Sequence, residues 1–95
     1  VSEIVEAIKY GVRKVNIDTD LRMAATGAVR KFLVENPAEF DPRKYNAVAK
    51  VAMSEICAAR FEAFGSAGQA SKIKPISLET MFGLYESGSL DPIIK

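Results

Sequence analysis

The run from Gly11 to Leu21, Gly-Val-Arg-Lys-Val-Asn-Ile-Asp-Thr-Asp-Leu, constrains this chain more than any other stretch. Val12, Val15 and Ile17 are β-branched, Gly11 stops the pattern before them, and an amphipathic pattern resumes at Leu21. This predicts a strand over Val12 to Ile17 that turns directly into a helix. The strand's end carries Asn16, Asp18 and Thr19 to that corner, where a helix N-terminus offers unpaired N–H groups and partial positive charge to an anion.

Helical signals surround this run. Ser2 is positioned to cap a first helix through Ile4, Val5, Ile8 and Tyr10, with Glu3 in its first turn and Gly11 as its stop. A second helix is expected from Asp20, its cap, with Leu21, Ala24, Ala25, Ala28, Phe32 and Leu33 on one face, ending at Asn36-Pro37. Asp41-Pro42 predicts a capped third helix, longer than the others. Its apolar spacing runs through Tyr45, Val48, Ala49, Ala52, Met53, Ile56, Ala59 and Phe64 to a stop near Gly65. Gly65 to Pro75 is a loop carrying Lys72 and Lys74, Ser77 caps a fourth helix through Met81, Phe82 and Tyr85 that Gly88 closes, and Leu90 to Lys95 is a tail.

The expected fold is therefore mostly α with one strand. A lone strand has no partner for its backbone groups, so the inventory reads as incomplete. An apolar strand entered from one helix and leaving into another predicts the last β/α unit of a parallel (β/α)8 barrel whose other strands lie upstream.

Bulk composition narrows the possible partners. At 95 residues and 48% hydrophobic content, one small packed unit is expected. Thirteen basic and twelve acidic residues give a net charge of +1, which recommends neither nucleic acid nor an anionic membrane as a partner. No run approaches the roughly 20 apolar residues of a membrane span, and the start has no basic leader pattern. The single cysteine, Cys57, excludes an internal disulfide framework and fits a reducing, cytoplasmic setting. With no histidine and one cysteine, the usual nitrogen and sulfur ligands of zinc are missing.

Each candidate site residue has two readings. Thr19 offers a hydroxyl and an N–H to a phosphate oxygen, and Asn16 an amide that can donate to a ligand carbonyl or hydroxyl. A carboxylate beside phosphate is repulsive, so Asp18 suits a substrate hydroxyl and Asp20 the helix cap. Equally, the whole Asn-x-Asp-Thr-Asp string serves as turn and capping residues. Arg60, at the angular position of Ile56 and near Phe64, is either a guanidinium fork for phosphate or carboxylate or a snorkelling arginine paired with Glu55 or Glu62. Lys72 and Lys74 are either an anion-facing edge or a solvated pair. Cys57 reads as a small residue among apolar neighbours, with no histidine to activate it.

The sequence from Ala7 to Arg22 closely resembles the last barrel strand of class II fructose-1,6-bisphosphate aldolases. The similarity continues through Phe40-Asp41-Pro42-Arg43-Lys44-Tyr45, Ala59-Arg60-Phe61-Glu62-Ala63-Phe64-Gly65 and Gly68 to Pro75. These later segments look most like the branch with a long C-terminal extension, often found with Calvin-cycle genes. The resemblance implies a division into residues 1–36, the last helix-strand-helix part of a barrel, and residues 37–95, a helical extension.

The resemblance also implies an activity: reversible cleavage of fructose 1,6-bisphosphate to dihydroxyacetone phosphate and glyceraldehyde 3-phosphate by a zinc-dependent, cytoplasmic homo-oligomer. It places Asn16, Ile17, Asp18 and Thr19 at the dihydroxyacetone-phosphate site. There Asn16 contacts the ketose end, Asp18 lies beside the substrate hydroxyls, and Thr19 with local backbone holds the phosphate. Arg60 matches the arginine that holds the other phosphate, usually reaching into a neighbouring subunit. The family's zinc ligands and acid–base aspartate lie on earlier strands, so the chain alone is expected to be inactive. A tagatose-bisphosphate aldolase is the nearest rival within the enzymes, although its equivalent strand tends to lack the paired acids seen here as Asp18 and Asp20. A non-enzymatic helical assembly module is the rival outside them.

Overall fold

The computed structural model describes residues 1–93, and the last two residues of the expected tail lie outside them. Helix α1 spans Ser2–Lys9, α2 Thr19–Glu35, α3 Pro42–Ala63 and α4 Leu78–Glu86, with a short 3₁₀ turn at Ala70–Lys72. The four helices expected from periodicity are present.

The strand is not. Residues 12–17 cross from α1 to α2 as irregular chain, and no strand occurs among the described residues. The physical reason is the missing partner, since a strand is defined by a ladder and no second extended segment lies alongside to accept or donate its bonds. The period of two nevertheless survives, because Val15 and Ile17 are half-buried while Lys14, Asn16 and Asp18 are exposed.

Local chemistry sets most helix ends. Asp41 caps α3, its carboxylate accepting from the Arg43 N–H at 3.0 Å, with Pro42 at the first helical position. Ser77 caps α4, its Oγ accepting from the Thr80 N–H at 3.1 Å. Asn36 ends α2, donating both its backbone N–H and its side-chain amide to the Phe32 carbonyl, at 2.9 and 3.0 Å. Gly65 and Gly88 take φ of +76° and +71°, the left-handed conformation that closes α3 and α4.

Two expected caps are corrected. Ser2 is the first helical residue of α1 and does not cap it; the ladder begins at the Val1 carbonyl, which accepts from the Val5 N–H at 2.9 Å. Asp20 lies inside the first turn of α2, whose cap position belongs to Asp18.

α2 and α3 pack against each other as an antiparallel hairpin, the main tertiary contact among the described elements. Every residue of the expected α2 face, from Leu21 to Leu33, is half-buried. On α3 the stripe holds at Tyr45, Val48, Ala49, Ala52, Ile56 and Phe64, whereas Met53 and Ala59 are exposed. The alanines on both faces let the helix backbones approach closely. Ala49 is the only buried residue described, and the radius of gyration is 19.9 Å, against about 12 Å for a compact domain of this length. The expected single packed unit is thus replaced by an open helical assembly with uncovered apolar faces.

Candidate functional site

The crossing segment and the start of α2 form one wall of a cleft of about 280 Å³. It is lined by Asn16, Ile17, Asp18, Thr19 and Asp20 together with Ile4 of α1 and Arg60 and Phe64 of α3. Asn16, Ile17, Asp18, Thr19 and Arg60, the residues singled out for substrate binding, therefore meet at one place. Chain topology accounts for it. Asp20 and Arg60 lie at similar distances along their helices from the turn joining α2 to α3, so the antiparallel hairpin brings the start of one helix to the end of the other. A second cavity, of about 390 Å³, shares Ile17, Arg60 and Phe64 with this cleft and is further lined by Ile8, Val12 to Val15, Phe61 and Ser66.

The acids at the corner do not cap the helix. Asp18 Oδ1 accepts from Arg22 Nε at 2.9 Å, and Asp20 Oδ2 accepts from Arg60 Nη2 at 2.7 Å. No side chain caps α2, so its first-turn amides keep their donors for another acceptor. Lys14 donates through Nζ to Asn16 Oδ1, which occupies the amide oxygen and leaves the NH₂ group as the donor. Arg13 is turned away from the cleft, donating to the Ile8 carbonyl at the end of α1 and to the Val12 carbonyl, both at 3.0 Å.

Arg60 departs from the reading that paired it along its own helix. Its partner is neither Glu55 nor Glu62 but Asp20, forty residues away in the chain. The arginine side chain is only 18% exposed while the aspartate is 51% exposed, so the guanidinium is set into the wall and the carboxylate reaches in from the rim. Sequence reasoning missed this pair because it looked along α3 alone and did not allow for the antiparallel hairpin, which brings the start of α2 to the end of α3.

Of the remaining candidates, Lys72 and Lys74 are exposed and outside this cleft, Lys72 in the 3₁₀ turn. Cys57 is half-buried on α3. The residues present do not make a zinc site. The sequence has no histidine, and among the described residues no group of three or more His, Cys, Asp or Glu side chains comes together to hold a metal ion. No described helix is long and apolar enough to cross a membrane.

A helix start with free amides, an amide donor, a threonine and an inset arginine around one cleft define an anion-binding class of site. The family model for class II fructose-bisphosphate aldolase matches residues 1–69, and the chain belongs to that family. It is 72% identical over all 95 residues to a fructose-bisphosphate aldolase of Stutzerimonas stutzeri and 71% identical to one of Pseudomonas aeruginosa, in each case covering 27% of the relative's length, its C-terminal part. A protein of Rhodobacter capsulatus named fructose-bisphosphate aldolase 2 is 59% identical over 92 residues, which are 97% of this chain and 81% of that relative. The chain thus spans about a quarter of the first two relatives, and the similarity runs through the cleft and all four helices.

Proposed function

We propose that this chain supplies part of the sugar-phosphate clamp of an aldolase that reversibly cleaves fructose 1,6-bisphosphate to dihydroxyacetone phosphate and glyceraldehyde 3-phosphate. The observation that carries the reading is the convergence of Asn16, Ile17, Asp18, Thr19 and Arg60 on one cleft at the uncapped start of α2.

In this reading the Asn16 NH₂ donates to the ketose end and the Asp18 carboxylate accepts from substrate hydroxyls. Ile17 shapes the wall between them. Thr19 Oγ1 and the first-turn amides of α2 hold the dihydroxyacetone-phosphate group, where the helix dipole adds to the amide donors. Arg60 takes the second phosphate, in a neighbouring subunit's site as is usual in the family, with the guanidinium N–H groups that Asp20 leaves unused. These residues bind and orient substrate. Polarising the ketone, the task of the family's zinc, and transferring the proton are not assigned to them, and the isolated chain is expected to be inactive.

The same reading places residues 1–36 at the last β/α unit of a (β/α)8 barrel and residues 37–95 in a helical extension of the kind found in the Calvin-cycle-like branch. Barrel strands beside residues 12–17 would provide the ladder these residues lack, and a homo-oligomeric assembly in the cytoplasm would cover faces left open here.

The test is substrate discrimination by Arg60→Ala in an aldolase carrying this segment. Its kcat/KM for fructose 1,6-bisphosphate should fall about ten- to a hundredfold, with a much smaller loss for fructose 1-phosphate, which has no second anion. Equal losses for both would assign Arg60 to structure.

A further inference from the structure

The clamp as described leaves Lys14 without a task, although Lys14 is bonded to one of its members. Lys14, Asn16 and Asp18 alternate with the half-buried Val15 and Ile17, so the three share the exposed face of the segment that leads into α2. They line different spaces. Asn16 and Asp18 line the cleft, whereas Lys14 lines the second cavity and not the cleft. Lys14 therefore touches Asn16 without lining the space assigned to substrate.

The chemistry of that contact is one-sided. An ammonium group has three donors and no acceptor, so only the oxygen end of a carboxamide can face it. The two ends of an amide are nearly alike in size, and an asparagine with no partner presents either its oxygen or its NH₂ group to a ligand. Here Lys14 Nζ donates to Asn16 Oδ1, and a charged donor makes a bond roughly twice as strong as a neutral one. Nothing competes for the lysine among the described residues: no carboxylate pairs with it, and Asp18 on the same face accepts instead from Arg22 Nε at 2.9 Å.

We propose that Lys14 is the positioning residue for Asn16: its ammonium holds the amide oxygen, so that the NH₂ group is the end left to donate to the ketose end of the substrate. The inference rests on the reading of Asn16 as that donor. Fixing the amide before substrate arrives removes the cost of ordering it on binding and excludes the flipped amide, whose oxygen would face a ligand carbonyl and repel it.

The experiment compares Lys14→Met, Lys14→Arg and Asn16→Ala in an aldolase carrying this segment, assayed in the condensation direction with dihydroxyacetone phosphate and glyceraldehyde 3-phosphate. Lys14→Met should raise KM for dihydroxyacetone phosphate about fivefold and leave KM for glyceraldehyde 3-phosphate within about twofold, because only the first triose meets Asn16. Lys14→Arg, which is also a donor without an acceptor, should recover part of the loss, and Lys14→Met made on top of Asn16→Ala should add nothing further. An unchanged KM for dihydroxyacetone phosphate in Lys14→Met overturns the proposal. So do equal losses for both trioses, which would make Lys14 a general attractor of phosphate or a structural residue, and a full further loss in the Asn16→Ala background, which would mean direct contact with substrate. If Asn16→Ala itself has no effect specific to dihydroxyacetone phosphate, the reading of Asn16 fails first, and that outcome is distinct from an Asn16 effect without a Lys14 effect.

Discussion

Arg60 and Asp20 join the end of α3 to the start of α2 through a 2.7 Å contact between residues forty positions apart. The other ion pairs described lie within five residues of one another, so this is the one that reports on tertiary geometry among them. Because Asp20 is half-exposed, solvent screens the attraction and the pair is worth about 0.5 kcal/mol. A double-mutant cycle with Asp20→Asn and Arg60→Gln, read by thermal unfolding of the α2–α3 hairpin, should give a coupling of about that size that shrinks as salt is raised. A coupling of zero at low salt would mean that the two side chains do not meet in solution.

The turn between these helices should be acid-sensitive. Hydrogen bonding from Lys44, and then from the Asp41 N–H, holds the Glu39 carboxyl below its ordinary value, and Arg43 does the same for Asp41 through its side chain and then its backbone N–H. Both groups titrate lower in the folded chain than in the unfolded one. Their stabilising effect is therefore complete above the ordinary carboxylate range, about pH 4, and is lost as pH falls through the lowered values. Amide exchange at Arg43, whose N–H is bonded to Asp41 Oδ1 at 3.0 Å, should accelerate below that range. Asp41→Asn, which caps comparably without a charge, should flatten the Asp41 part of the dependence.

How legible this chain was depends on how local each signal is. The caps at Asp41 and Ser77 and the stops at Asn36, Gly65 and Gly88 are short-range devices, and each stands where the sequence put it. The strand at Val12 to Ile17 failed because its β-branched residues report a preference, while a ladder needs a second segment that no local pattern supplies. Asp20 was misjudged as the cap for a related reason. It is a good capping residue, but Arg60 across the hairpin competes for its carboxylate, and a charged donor makes the stronger bond. The site was legible as a set of residue types at a helix start; the contact that organises it was not.

The fourth helix should depend on its own ends. α4 is nine residues long and makes no extensive contact with the other described helices, so packing offers little compensation for a lost cap. Ser77→Ala should cost about 1 kcal/mol of α4 stability. Gly88→Ala should cost a similar amount, about 1 kcal/mol, because its φ of +71° disfavours a side chain and an added Cβ would sit 3.0 Å from Asp91 Oδ2. Amide protection in α4 should fall in both variants while that of α2 and α3 stays constant. Loss of protection in all three helices together would show that α4 is packed on the hairpin.

The apolar surface carries the last expectation. Phe40, Tyr10 and Leu78 are 88%, 84% and 82% exposed, Phe82 and Tyr85 stand out from α4, and Ala49 alone is buried among the described residues. A chain whose sequence is 48% hydrophobic but buries so little has not removed that surface from water, and contact with another surface is the available way to do so. The unladdered segment 12–17 adds backbone donors and acceptors that a neighbouring chain can pair. As a 95-residue polypeptide it should therefore self-associate at micromolar concentration, with a helical circular-dichroism spectrum and strong binding of an apolar dye that weakens as association proceeds. Replacing Phe40, Leu78 and Phe82 together with serine should shift the association to higher concentration without removing the α2–α3 helicity. Light scattering from a strictly monomeric, helical species that binds no dye would mean that the exposed faces close on themselves in solution.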